Sequence, residues 1–187
     1  MNENIAIAWT DLSVNVYQPL MKTDKVILDS ISGYFEFNKI NALMGSSGSG
    51  KTTLLKCFNA SNKYSFGSDS NIWVKNDMKI KKCFVYQNHD KRVITGLTVR
   101  QALTYASKLK NSEERVVDHN QVVSEVMSDL LVSDIGDQLI EKCSGGQIKR
   151  ICIGLELTAV RKPDLLLIDE PTTGLDSNSA EVVSFIL

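Results

Sequence analysis

Nine residues, GSSGSGKTT from Gly45 to Thr53, restrict the fold of this chain more than any other stretch. They fit the spacing G-x-x-x-x-G-K-[ST]. The largely apolar KINALM before them reads as a short strand feeding Gly45, and TTLLKCFNA at their end reads as a helix. Glycines let the backbone N–H groups of Gly45, Ser46, Ser47, Gly48, Ser49 and Gly50 curl inward around phosphate oxygens, and the following helix adds the positive end of its dipole. Lys51 then reaches the β- and γ-phosphates of a nucleotide. The Thr52 hydroxyl ligates Mg²⁺, and Thr53 carries the loop into the helix. A plain Gly/Ser turn is the simpler alternative. It leaves Lys51 unexplained, because a cation in the first turn of a helix opposes the dipole. A strand, a phosphate loop and a helix in this order imply an α/β fold.

PDLLLIDEP supplies a second half of such a site. Leu165 to Ile168 read as a buried strand that delivers Asp169 beside the phosphate loop. Asp169 is then a ligand of Mg²⁺, directly or through water, and Glu170 orients or deprotonates the attacking water. Adjacent carboxylates repel unless a cation sits with them. Alone, the pair fits a solvated acidic turn equally well. The upstream loop gives it chemical meaning.

Just ahead of that strand lies CSGGQIKRICIGLELTAVRKPD. Ser144 and Gln147 have the spacing of a capping box, with Cys143 and Ile148 placed as a hydrophobic staple. Ile148, Ile151, Cys152 and Leu155 trace the expected buried face of the helix. A well-capped helix without a ligand explains Ser144 and Gln147 but not Gly145 and Gly146. Each glycine weakens a helix by about 1 kcal/mol relative to alanine. Bare backbone at the positive helix end is what they offer in return, a ready phosphate site.

The rest of the chain frames these stretches. IAIAW, LSVNVY, KVILDSI and GYFEF read as early strands, and short strands follow around Trp73 and at Phe84–Val85. From Thr98 to about Leu131 the pattern is helical. Thr98 and Gln101 have capping-box spacing, and Val122, Val126 and Leu130 run beside Val123, Met127 and Leu131 as a core-facing stripe. A helical lobe over roughly residues 98–145 is thus inserted between an early β-rich part and a late helix–strand–helix part. A net charge of −1 offers no basic field for nucleic acid or anionic lipid. No apolar run approaches the roughly 20 residues that span a bilayer. The N-terminus lacks the pattern of a signal peptide, so the chain alone reads as soluble and cytosolic. Cys57, Cys83, Cys143 and Cys152 make no C-x-x-C pair and read as reduced, packed thiols.

Phosphate loop, S-G-G-Q and D-E-P, in that order, resemble an ATP-binding-cassette (ABC) ATPase over essentially the whole chain. LMGSSGSGKTTLL, GLTVRQAL, DEPTTGLDS and the W and LSVNV near the start are similar to the white-type, or G-subfamily, half transporters. The resemblance implies one nucleotide-binding domain over residues 1–187, a P-loop NTPase cassette. Its expected parts are an N-terminal antiparallel β part, a RecA-like core and the helical lobe, with ATP and Mg²⁺ as cofactors. It implies that Lys51 and Glu170 are catalytic and that Gln87, after CFVY, contacts Mg²⁺ and couples the lobes. By the same resemblance Ser144, Gly145, Gly146 and Gln147 contact the γ-phosphate held by a second cassette, and Asp176 sits at the dimer seam. The implied pairing is head-to-tail, homo- or heteromeric, with each chain supplying two unlike halves of a composite site.

Cys143 stands where the family has Leu or Val. Asn38 replaces a turn glycine, a position Asn fills in the left-handed conformation. The adenine-stacking position falls among Trp9, Val14 and Tyr17. The family's switch histidine lies beyond the last residue; His89 and His119 both precede the signature and read as surface residues. The chain is therefore expected to be the front of a larger protein. Its membrane domain would lie elsewhere, and the whole would sit at the cytoplasmic face of a membrane. The implied activity is ATP-driven transport of a small lipophilic or pigment-like molecule. Turnover by the chain as given is expected to be slow, and an alternative is a truncated, largely non-hydrolysing ATP-binding module that pairs with an intact partner. A soluble ATPase acting on nucleic acid or ribosomes fits less well, because Gln87 to Ser144 has room for a helical lobe and not for coiled-coil arms.

Overall fold

The computed structural model describes residues 4–18, 23–59, 64–74, 80–86, 95–114, 116–173, 177, 180 and 181. The chain forms two compact units, Met1–Ile80 and Lys81–Leu187.

In the first unit, β1 (Ile5–Gln18) and β2 (Thr23–Glu36) pair antiparallel, with Trp9 opposite Gly33 and Val14 opposite Leu28. Two shorter strands, β3 (Ser65–Phe66) and β4 (Asn71–Val74), also pair antiparallel with β1. The four early strands expected from composition are thus two long ones. Polar residues along the pair are absorbed as bulges: Asp11 and Ser30 both take positive φ, 49° and 46°. The Ser30 hydroxyl donates to the Asp11 carboxylate at 3.2 Å, and the Asp11 N–H donates to the Ser32 hydroxyl at 3.0 Å. An extra residue in one strand bends the ladder without ending it.

The alternate residues Ile7, Leu12, Val14, Leu28 and Phe35 are buried. Trp9, Phe35 and Phe58 form a triangle of rings with centroids 4.9–5.3 Å apart. A Cβ at Gly33 would lie 2.5 Å from the Trp9 indole, so glycine is what lets that ring lie against β2. Phe58 comes from α1 (Lys51–Phe58), which also buries Leu54 and Cys57. Asn38 has φ 52°, the left-handed turn expected of it. KINALM, however, is not a strand: residues 40–46 join no ladder, and Ile40 and Met44 are 77% and 88% exposed. An apolar run becomes a strand only where a neighbour takes up its N–H and C=O groups. No strand described in this unit does so.

In the second unit, β5 (Lys82–Val85) pairs parallel with β6 (Leu165–Ile168), from Lys82 opposite Leu165 to Val85 opposite Ile168. A parallel pair needs a long crossover. This one carries α2 (Val99–Lys110), α3 (His119–Asp129) and α4 (Gly145–Leu157). Their apolar faces share a core that includes Leu103, Val123, Val126, Met127, Leu130, Ile140, Ile151 and Ile153, with Cys83 and Val85 of β5. Thr98 and Gln101 form the expected capping box. In the α3 stripe Val123, Val126, Met127 and Leu130 are buried, but Leu131 is 61% exposed. The helix has ended by then, and Leu131 turns outward at φ 52°. Among the described residues no helix is long and apolar enough to cross a membrane.

Candidate functional site

The phosphate loop is built on the first unit. Ser46 to Ser49 are exposed, and the Ser49 N–H donates to the Ser46 carbonyl at 3.2 Å. Gly48 and Gly50 take φ 79° and 92°. Gly50 caps α1, and a Cβ there would lie 2.5 Å from Leu28 Cδ2. Conformation and close approach to β2 both demand glycine at this point. Left-handed residues alternating in a tight turn aim successive N–H groups into one concavity, an anion-binding shape. The Lys51 ammonium reaches back across the loop and donates to the carbonyls of Gly45 and Ser46, at 2.8 Å each. Its charge is therefore already at the loop, where it offsets the unfavourable position at the start of α1. The donor set and backbone shape fit a polyphosphate. Thr53 hydrogen-bonds Tyr64, whose phenol is held above its ordinary pKa chiefly by burial. Of the three candidates for stacking on adenine, Trp9 and Val14 are buried and Tyr17 is 58% exposed.

The second unit carries the acidic turn and the signature. The Asp169 N–H donates to the Val85 carbonyl at 3.0 Å, which extends the β5–β6 pairing by one residue. Asp169 itself is buried, 4% exposed. Glu170 leaves the strand in the left-handed region, φ 50°. A non-glycine residue held there is strained and needs support from its surroundings. The Thr173 N–H supplies some, donating to the Glu170 carbonyl at 3.4 Å. Lys149 of α4 supplies more. It is 3% exposed, and its ammonium donates to the carbonyls of Glu170 and, at 3.3 Å, of Thr173. Burial pulls the pKa of Lys149 down, and the Glu170 and Asp169 carboxylates push it back up.

The signature forms the expected capping box. The Gln147 N–H donates to the Ser144 hydroxyl at 3.3 Å, and the Gln147 side-chain oxygen accepts from the Ser144 N–H at 2.8 Å. Cys143 and Ile148, the staple pair, both pack on the helical core. Ile151 is fully buried as read, while Ile148, Cys152 and Leu155 are half-buried. The face is completed by Ile153, Gly154 and Lys149, which periodicity alone did not select. A Cβ on Gly145 would meet nothing within 4 Å. Packing among the described residues therefore does not explain that glycine, which is exposed.

Gln87, His89 and Asp176 lie outside the described residues. His119 does not fit its reading as a plain surface residue: it is half-buried, with Nδ1 2.9 Å from the Ser107 hydroxyl. Lys149 is the main residue that sequence reasoning missed. Its one available signal was position, since it stands four residues before the buried Ile153 on the same helix face.

The comparisons with known proteins agree on one family. The family description "ABC transporter" matches residues 28–173. ABC transporter G family member 11 of Arabidopsis thaliana is 34% identical over 187 residues, which is 95% of this chain and 26% of that protein. ATP-binding cassette sub-family G member 5 of Mus musculus is 31% identical over 92% of this chain and 28% of its own length. The chain thus spans about a quarter of these relatives. Among solved structures, cbiO1 from Clostridium perfringens, part of the ABC transporter complex cbiONQ, aligns over 98% of this chain and 72% of its own. Its TM-score is 0.72 at 21% identity, a likeness of fold.

Proposed function

The chain belongs to the ABC transporter family, as an ATP-binding domain whose matched relatives include G-subfamily members, and on that premise we propose that it binds and hydrolyses MgATP to drive transport of a small lipophilic or pigment-like molecule. One observation carries the nucleotide half of this reading. Gly48 and Gly50 hold positive φ in an exposed loop, and Lys51 is turned across that loop. Gly45 to Thr53 are the residues proposed to hold the phosphates, with Lys51 neutralising charge that builds on the transferred group. Thr52, Asp169 and Gln87 are the proposed ligands of Mg²⁺. The ion, when bound, neutralises phosphate charge and orients the γ-phosphate. Glu170 positions the attacking water and accepts its proton.

The signature residues Ser144, Gly145, Gly146 and Gln147 are proposed to meet the nucleotide of a second cassette, paired head-to-tail, with Asp176 at the seam. The open space around Gly145 supports this, because bare backbone at a helix start is free to receive an anion from another molecule. The membrane-spanning partner is proposed to lie outside this stretch of chain, and the domain to work at the cytoplasmic face of the membrane.

The test is steady-state ATPase measurement on the chain and its Glu170→Gln variant. The reading expects Mg²⁺-dependent phosphate release that the variant abolishes while still binding MgATP. Phosphate release equal in both proteins overturns the role given to Glu170.

A further inference from the structure

We propose that Lys149 is a positioning residue: its buried ammonium fixes the backbone of Glu170 and so ties the signature helix of this chain to its own water-activating carboxylate. The inference rests on the reading of Glu170 just given and adds the residue that holds it in place. A buried lysine ordinarily pairs with a carboxylate. Lys149 has the Glu170 and Asp169 carboxylates in its field, and its ammonium also donates to two main-chain carbonyls, those of Glu170 and Thr173, across a separation of more than twenty residues. Those carbonyls bracket the turn in which Glu170 is held at φ 50°. A left-handed glutamate relaxes toward ordinary backbone unless something resists, and the relaxation swings its side chain away from where the strand end aims it. The charged donor resists at the carbonyl of Glu170 itself. The opposite side of the turn is held by β6, through the Asp169 N–H bonded to Val85.

Lys149 also stands on a particular helix. It lies five residues after the Ser144 cap, about 8 Å along the axis at 1.5 Å per residue. Ile151 and Ile153, fully buried on the same helix, make α4 a stiff lever and not a loose tether. Any displacement of the Ser144–Gly146 end is carried through Lys149 to the turn holding Glu170. The signature of one chain thereby adjusts the hydrolytic geometry of that same chain's other half-site.

The experiment compares wild type with Lys149→Met, which keeps stem length and loses the donor, and with Lys149→Arg, which keeps a charged donor. Two quantities are read: amide hydrogen exchange of the peptide covering residues 166–173, and the ATPase kcat and KM for MgATP. In Lys149→Met the exchange of this peptide rises about fivefold or more while the rest of α4 stays protected. In the same variant kcat falls about tenfold or more with KM within about threefold. Lys149→Arg keeps most of the protection. Unchanged exchange in Lys149→Met overturns the proposal, and so does a loss carried by KM with kcat intact. If Lys149→Met loses its helical circular dichroism, Lys149→Gln takes its place in the same comparison. If wild type itself shows no ATPase activity, the role of Glu170 fails separately, and the exchange of residues 166–173 still decides whether Lys149 anchors the turn.

Discussion

Asn111 makes hydrogen bonds to three described residues of the helical unit, Ser107, Thr158 and Val160, and its removal has a cost that can be worked out. It caps α2 and is 4% exposed. Its Nδ2 donates to the carbonyls of Ser107 at 2.9 Å and Thr158 at 3.0 Å, and its Oδ1 accepts from the Val160 N–H at 2.8 Å. The end of α2 is thereby stitched to the turn after α4. In Asn111→Ala the Ser107 carbonyl keeps its bond from the Asn111 backbone N–H. The Thr158 carbonyl, in a residue with no exposed surface, loses its side-chain donor, and the part-buried Val160 N–H loses its acceptor. An unsatisfied buried group costs about 1–3 kcal/mol, and water reaching Val160 reduces the second, so the sum is about 2–4 kcal/mol.

Asn111→Asp is expected to be worse at neutral pH. It keeps the acceptor for Val160 and turns a carboxylate oxygen toward two carbonyls. The assay is urea unfolding followed by circular dichroism at 222 nm, since α2, α3 and α4 all lie in this unit. Tryptophan fluorescence does not serve, because Trp9 and Trp73 are both in the other unit. With an m-value of about 2 kcal/mol/M the midpoint falls by about 1–2 M. A shift below about 0.3 M, or an Asp variant as stable as wild type, refutes the reasoning.

Two further outcomes follow from packing and burial. Gly154→Ala places a Cβ 2.5 Å from Leu130 Cδ1 and 3.2 Å from Leu103 Cδ2. Overpacking of about 1–3 kcal/mol then outweighs the helix-propensity gain of about 1 kcal/mol. A variant at least as stable as wild type in the same urea experiment contradicts this. Burial pushes the Cys57 thiol up to about 11 and the Cys83 thiol up to about 12. Both therefore stay protonated at pH 8, and native iodoacetamide labelling of each is expected to be about tenfold or more slower than in the urea-unfolded chain. Equal native and unfolded rates, read by mass spectrometry, rule that out.

The parts legible in the sequence are those whose physics is local. A capping box joins residues three apart, and both boxes, Thr98–Gln101 and Ser144–Gln147, form as their spacing implied. The phosphate loop is legible because only glycine serves where φ is positive and a neighbouring strand presses close, as at Gly50. Long-range pairing was less readable. The sequence reads as four separate early strands, with Asp11 between the first two, yet pairing along the whole β1–β2 ladder outweighs its local irregularities. KINALM shows the converse, a largely apolar stretch read as a strand that joins no ladder. Lys149 was hidden for a related reason. A lysine on a helix reads as a solvated charge until a distant turn supplies the carbonyls that bury it.

The proposed composite site requires one chain to supply two unlike half-sites, the phosphate loop for its own nucleotide and the signature for a partner's. The most direct test is equilibrium titration of MgATP into dilute wild type, Lys51→Ala and Ser144→Ala, at concentrations where sedimentation shows monomers. Lys51→Ala is expected to weaken binding about tenfold or more, the loss of one charge-assisted contact, while Ser144→Ala leaves it within about twofold. Equal weakening in both variants would place the signature at the chain's own nucleotide and contradict the composite site.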